Sequence, residues 1–575
     1  MSPLQRHTEA GRGRRGAVRS HKRRGSGFLR KFTISVAGDE ISFSSPVGGP
    51  EVLAASGYES RRNVVAWRVN HYLRSLDWTI DDDAVVEFVD TSSFEGMEVY
   101  RRSLSFLLVL ACKRALSQDI FIRHSLSDGY YCELPSGFPS KEDVARVKRL
   151  MEQMVDMDLP FRRKLVPIDQ AKRIFERQGN ADKARLLQWA AIDPVEVYCC
   201  ADTHGFFYAP LAPSTGYLRV FDLVPYGGGM VLLFPTVAYP DGLPPFQPPK
   251  KLAEVFREYT EWLDILNVGT MDNLHKLVAE GKAGDLILTS EALHSQRLSH
   301  IAKDIASRSR VRLVCMAGPS GSGKTTASLR LRVQLQALGK RAVTLALDDY
   351  FLERDRTPVD AEGNYDFEAL EALDIELIND HLRRLLTGEA VRLPHFNFLT
   401  GKREWGELLQ LGSNALLIIE GIHGLNERVS ESISDDDKYR IYVSPLTALN
   451  LDRHNRTSTT DNRLLRRLVR DYRTRGKLPE VTLRQWPSVV RGAQKHIFPY
   501  QERADIMFNS ALVYELSALK GYAEPLLSTI PEESPVYGEA RRLISFLRFI
   551  PFFPSDQVPN DSILREFIGG SCFSA

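Results

Sequence analysis

The chain has 575 residues, 43% of them hydrophobic and 26% charged, with a formal net charge of +2. That length exceeds one ordinary hydrophobic core and predicts two to four domains. The near-neutral charge excludes a whole-chain footprint for nucleic acid, and no apolar run approaches the roughly 20 residues of a membrane span.

The first segment, residues 1–29, is basic and rich in glycine (GRGRRGAVRSHKRRGSG). It lacks the apolar centre of a secretory signal and reads as a disordered tail. The six cysteines are scattered, with no CxxC pair. Zinc is not indicated, and reduced thiols in a cytoplasmic protein are the simplest expectation.

RKFTISVAGDEISFS alternates apolar and polar residues around a Gly-Asp turn and predicts a hairpin, with the unit continuing to residue 91. EVYRRSLSFLLVLACKRAL carries apolar residues at helical spacing. FIRHSLSDGYYCEL reads as strand and turn. The charged stretch KEDVARVKRLMEQMVDMDLPFRRKLVPIDQAKRIFERQG reads as helical throughout. VYCCADTHGFFYAPLAPSTG and VPYGGGMVLLFP return to strands and turns, and DGLPPFQPPKK is a proline-punctuated edge. Residues 251–305 read as a polar, helical connector.

From residue 306 the pattern alternates strand and helix: VRLVCMAG, TTASLRLRVQLQAL, RAVTLALDD, FEALEALDIELINDHLRRLL, ALLIIEG, RIYVS. This predicts an α/β unit with a parallel sheet covered by helices on both faces. The last segment, 516–575, reads as helix then loop packed on that unit, with no assigned chemistry.

Gly318, Gly323, Lys324 and Thr325 fit G-x-x-x-x-G-K-[ST], between a predicted strand and a predicted helix. Glycines let backbone N–H groups of the loop face phosphates, and the helix N-terminus favours the anion. The predicted ATP-binding residues are Gly318, Pro319, Ser320, Gly321, Ser322, Gly323, Lys324, Thr325 and Thr326. Lys324 reaches the outer phosphates and the Thr325 hydroxyl suits Mg²⁺. Glu420, ending an apolar strand, is the second candidate for the metal. Asp348 and Asp349 end another strand, where ligands of such sheets bind. One of them should face the site as acceptor-activating base, and Asp348 is the choice. Arg463, Arg466, Arg467 and Arg470 share one helical face. They predict a lid whose arginines neutralise a transferring phosphate, with Arg463 and Arg467 as catalytic candidates.

These pieces resemble the uridine kinase/phosphoribulokinase family of P-loop kinases: GPSGSGKTT, LDDYF, NYDFE, PHFNFLTGKR, LIIEGIHGLN and RLLRRLVRDYRTRG, in that order. The resemblance implies an ATP- and Mg²⁺-dependent kinase acting on a small-molecule hydroxyl, uridine being the default acceptor. It places Tyr365, Asp366 and Phe396 at nucleoside-contacting positions and Arg475 in the lid, where it is also a substrate-binding candidate. One departure matters: Gly401 stands where the family's base-contacting His is expected.

Residues 30–91 resemble a TGS domain, a small β-grasp-like unit. Residues 92–250 resemble the second additional domain of threonyl- and alanyl-tRNA synthetases, through HSLSDGYY and APLAPSTG. That domain's ligand positions carry Arg102, Phe106, Phe207 and Leu211 here, none of them the expected His or Cys, so the editing chemistry is expected to be lost. His124 reads as structural. Two other functions stay open: a kinase for another sugar or modified nucleoside, and an RNA- or ribosome-associated regulator that uses nucleotide binding as a switch. RNA contact through the N-terminal half and a homo-oligomer are compatible with both.

Overall fold

Residues 31–58, 63–190, 192–360, 363, 365–398 and 400–573 are described by the structure, a computed structural model. The basic segment 1–29 lies outside the described residues.

Ala37 and Gly38, both at positive φ, close the first hairpin, Phe32–Val36 with Asp39–Phe43. A two-residue turn of this hand matches the natural strand twist. Strand Ala84–Asp90 pairs parallel to the first strand and antiparallel to Val64–Val69, completing a five-stranded sheet beside the helix Gly49–Ser56. Its core is Ile34, Val52, Trp67 and Val86.

The helix Phe94–Leu116 is the spine of the next region. Its N-cap Ser93 accepts the Gly96 N–H, and it buries a long apolar run from Leu104 to Cys112. A four-stranded sheet and the helix Lys141–Asp156 pack around it. One expectation fails here. The stretch from Lys141 to Gly179 is not helical throughout: Arg162–Val166 is a strand paired with Val195–Cys200. Pro160 and Pro167 flank it, and proline resists continuation of a helix.

The C-terminal half holds a five-stranded sheet in the order Ala342–Ala346, Leu416–Gly421, Leu313–Ala317, Lys438–Ser444, Ile506–Asn509. Every neighbouring pair is parallel. Leu313, Cys315 and Ala317 of the strand before the glycine loop pair with Leu417, Ile419 and Gly421, and Met316 with Glu420, so the loop after Ala317 opens beside Glu420. Fully buried Leu417, Ile418 and Ile419 explain the unbroken apolar run of that strand.

The region expected to be a polar connector is helical but is no free linker. Its helices Lys250–Ile265, Met271–Ala279 and Ala283–Ser307 share one apolar core with the parallel sheet and with the C-terminal helices Glu515–Ser528 and Tyr537–Leu547. Arg330, from the helix after the P-loop, donates to Glu291 at 3.1 Å and to Ser295 at 2.9 Å.

The two halves meet through a buried polar network. The Asn450 side chain donates to the carbonyls of Ile122 and Arg123 at 2.9 and 2.8 Å. Asn455 donates to the Phe206 carbonyl at 2.9 Å. His454 lies 2.7 Å from Asp119 and 3.2 Å from Lys183, which is 3.5 Å from Asp452. Both Lys183 and Asp452 are fully buried, so this contact is specific in geometry as well as adhesive.

Candidate phosphate-transfer site

The helix Lys324–Ala337 begins directly out of the glycine loop, with Gly321 at φ +79° and Gly323 at φ +78°. Left-handed backbone at both points is what glycine permits. Space demands it as well: a Cβ on Gly318 would lie 2.0 Å from the Val443 carbonyl oxygen, and one on Gly321 2.8 Å from the Arg463 carbonyl oxygen.

Thr325 donates its hydroxyl to Glu420 Oε1 at 2.8 Å. Two hard oxygen donors thus stand together at the mouth of the loop. Burial pushes the Glu420 carboxyl up to about 7, with the Asp348 and Glu566 charges adding to the rise and Lys324 and the Thr325 hydrogen bond opposing it. A carboxylate held this far from water gains most from a cation, so the pair fits Mg²⁺.

The two aspartates part company. Asp349 accepts from His395 Nδ1 at 3.0 Å and from the Phe396 N–H at 3.3 Å, which ties it to the hairpin Ala390–Asn397/Lys402–Gln410. The Asp348 charge instead acts on Glu420, Glu368, His423, Arg470 and Arg475. Asp348 therefore sits among the groups around the loop.

The arginine helix runs from Thr459 to Arg475, with Ser458 as N-cap. Its basic face is not solvated. Arg463 donates to the Ser320 carbonyl at 2.9 Å, Arg467 to the Ser320 hydroxyl at 2.9 Å, and Arg466 pairs with buried Glu515 and donates to the Ser510 carbonyl at 2.8 Å. Burial pulls the Arg463 guanidinium down to about 10, partly offset by the nearby Tyr442 and Glu368. Its guanidinium carbon also lies 5.3 Å from the centre of the Trp486 ring. Arg475, also pulled down to about 10 by burial with Arg470 adding, lies over the Phe398 ring at 5.0 Å.

The nucleoside-contact candidates are spread. Tyr365 is 48% exposed. Asp366 uses Oδ1 to accept the N–H groups of Glu368 and Ala369 at 3.1 Å each, a turn-building role. Phe396 is only 2% exposed, its ring 5.6 Å from Phe351 and 5.2 Å from Phe398, so it holds the hairpin from inside and offers no free face. Gly401 has a structural reason of its own. It sits at φ +70°, and a Cβ there would lie 2.8 Å from Arg354 Nε.

Sequence reasoning missed four groups. Glu368, within NYDFE, has a buried oxygen without a hydrogen-bond partner and a pKa raised by burial. His423 is 1% exposed, and burial pushes it down to about 4, partly offset by the backbone of Glu368 and Ala369. Its place three residues after Glu420 was the available signal. Glu515 and Glu566 come from elements distant in the chain, and no local pattern marks them.

In the synthetase-like region the positions compared with metal ligands are filled by packing. Phe106 and Phe207 are buried with ring centres 5.3 Å apart, and Arg102 donates to the Pro210 carbonyl at 2.8 Å. His124 stacks on Phe256 at 3.8 Å, and burial lowers it to about 3.

A parallel sheet, a glycine loop opening a helix, and buried arginines against that loop define the class of P-loop phosphotransfer folds. Residues 313–517 match the model of the Phosphoribulokinase / Uridine kinase family. The N-terminal region is similar to threonine–tRNA ligases. It is 27% identical over 201 residues to the ligase of Nitratidesulfovibrio vulgaris (strain DP4), covering 34% of this chain and 31% of that protein. Against the ligase of Acidithiobacillus ferrooxidans (strain ATCC 53993 / BNL-5-31) it is 31% identical over 192 residues, 32% of this chain and 29% of that one. The chain thus spans about a third of the length of these curated relatives. Among solved structures, "a Possible Uridine Kinase" from Bacillus stearothermophilus aligns at 18% identity and TM-score 0.26, covering 37% of this chain and 97% of that chain. D-glycerate 3-kinase from Cryptococcus neoformans var. grubii aligns at 13% and 0.22, covering 46% and 89%.

Proposed function

We propose that the C-terminal half transfers the γ-phosphoryl group of ATP to a hydroxyl of a small molecule, with a nucleoside, uridine first, as acceptor. The observation that carries this reading is the division of labour between neighbours. Asp349 is tied to His395 and Phe396, whereas Asp348 lies with Lys324, Glu368 and the arginines around the Thr325–Glu420 pair. A hydrolytic switch has no need of a free carboxylate beside the loop; a transferase needs a base for its acceptor.

In this mechanism Lys324 and the loop N–H groups hold the outer phosphates. Thr325 and Glu420 would hold Mg²⁺, which neutralises phosphate charge when bound. Asp348 takes the acceptor's hydroxyl proton as the acceptor oxygen bonds to the γ-phosphorus and the bond to the β-phosphate oxygen breaks, releasing ADP. Arg463 and Arg467, already resting on Ser320, balance the charge that spreads over the transferring group.

The test is ATP consumption by the full chain with nucleosides, pentoses or no acceptor, with product masses recorded. The expected product is acceptor-dependent and heavier by one phosphoryl group. A sugar or modified nucleoside as sole acceptor would move the assignment within the kinases, in keeping with Gly401 at the family's base-contacting position. Acceptor-independent hydrolysis, or none until RNA is added, would replace it by the regulator reading. The likeness of the N-terminal region to threonine–tRNA ligases favours that second reading, and salt-sensitive RNA binding would accompany it.

A further inference from the structure

Beside the glycine loop lies a segment with no assigned chemistry, Ser562 to Gly569. Glu566 Oε2 accepts the backbone N–H of Thr326 at 3.1 Å and the Thr326 hydroxyl at 3.0 Å. That N–H belongs to the first turn of the helix Lys324–Ala337, where amides have no intrahelical partner and anions are attracted. It is one of the donors that a phosphate chain on this loop would use.

The contact is not a lone surface pair. Ile563, fully buried, sits on the other side of the loop, and a Cβ on Gly323 would lie 2.4 Å from its Cγ2. The Phe567 ring lies under the Arg466 guanidinium at 5.1 Å, and the Phe567 carbonyl accepts from Arg473 at 2.9 Å. Leu564 and Phe567 are fully buried, and Ser562 Oγ is 3.4 Å from the Tyr514 hydroxyl. The arginine helix therefore grips the loop through Arg463 and Arg467 and this segment through Arg466 and Arg473. Glu566 also adds its charge to the carboxylates crowding Glu420.

We propose that this segment is an internal plug of the phosphate cradle, in which the Glu566 carboxylate occupies an amide that a nucleotide phosphate needs. The proposal rests on the reading of the loop as a nucleotide site. Nucleotide and Glu566 compete for the Thr326 N–H, and two anions cannot share it. Rotation of the Glu566 side chain, or withdrawal of the segment with the arginine helix, frees the amide. The plug sets a threshold: nucleotide occupancy and the position of the arginine helix become linked through Arg466, Arg473 and Phe567.

The experiment is a titration of the full chain with a fluorescent ADP analogue and Mg²⁺, comparing wild type with Glu566→Gln, Glu566→Ala and Lys324→Ala. Cooperative melting identifies the variants that fold. Both Glu566 variants should bind about tenfold tighter than wild type, the alanine at least as tightly as the glutamine. Should Glu566→Gln lose the fold, Glu566→Ala decides, and the reverse. If both bind within twofold of wild type, or more weakly, while Lys324→Ala abolishes binding, the plug is wrong and the nucleotide site stands. If neither the wild type nor any Glu566 variant binds, the plug and the nucleotide reading fall together.

Discussion

Around the glycine loop, burial encloses charge. Arg463, Arg466 and Glu515 are almost wholly withdrawn from water, and Arg463 Nη2, Ser322 Oγ and Glu368 Oε2 lack hydrogen-bond partners. In the synthetase-like region, burial at the positions compared with ligands encloses two phenyl rings and an arginine satisfied by a carbonyl. Burying charge costs several kcal/mol per ion unless geometry repays it, while apolar packing is stable without further reason. On this difference rests the reading of one region as built for chemistry and of the other as built for shape.

Four substitutions sharpen or break that contrast. The largest effect is expected from Asp348→Asn. Loss of the base should lower kcat by about 10²- to 10⁴-fold with nucleotide affinity retained, checked by turnover and by titration. Transfer that survives would show the base assignment to be wrong. Next come matched changes in the two regions. Arg466→Met strands buried Glu515 and should cost about 3–5 kcal/mol, whereas Phe106→Leu should cost about 1–2 kcal/mol and leave kcat unchanged. Urea midpoints followed by tryptophan fluorescence measure both. A Phe106 variant that lowers kcat would show chemistry, or coupling to chemistry, in the region read as shape alone.

The smallest effect belongs to His124. Burial holds it at about 3 in the folded chain, below its ordinary 6.5. The unfolded chain takes up a proton near 6.5 that the folded chain refuses. The stability this ring confers is complete above about 6.5 and is lost as pH falls toward 3. His124→Phe keeps the stack on Phe256 and removes the proton. The variant should gain on wild type as the pH falls, by about 1 kcal/mol at pH 5.5. Melting temperatures at pH 7.5 and 5.5 decide it: a constant difference would mean that the folded ring takes up its proton as readily as the unfolded one.

Much of the site was legible because its parts are contiguous. A loop, a strand-end carboxylate and an arginine face each announce themselves within a few residues. The first hairpin, its turn one residue earlier than the Gly-Asp pair suggested, and the spine helix from Phe94 were legible for the same reason: period and turn chemistry are local. The strand Arg162–Val166 was not. It is mostly exposed, so its charged residues carry no apolar alternation and blend into the helices on either side. The helices from Lys250 to Ser307 looked like a linker because polar residues dominate their composition; only a narrow apolar face enters the core. Glu566 lies 240 residues from Thr326, and a contact of that span leaves no trace in spacing.

The polar network at Asn450, His454 and Asn455 has a mechanical consequence. It pins the chain to the N-terminal half only a few residues before Ser458, where the arginine helix starts. That helix of 17 residues is about 25 Å long. It is a lever with a clamped foot and a tip at Gly476, and a tilt of about 5° at the foot carries the tip about 2 Å. Arg463 lies near the foot and Arg467 at mid-length, while Arg473 and Arg475 ride near the tip. A strain of less than an ångström delivered at the distant half would be read out as ångströms at Arg473 and Arg475, against Phe567 and Phe398.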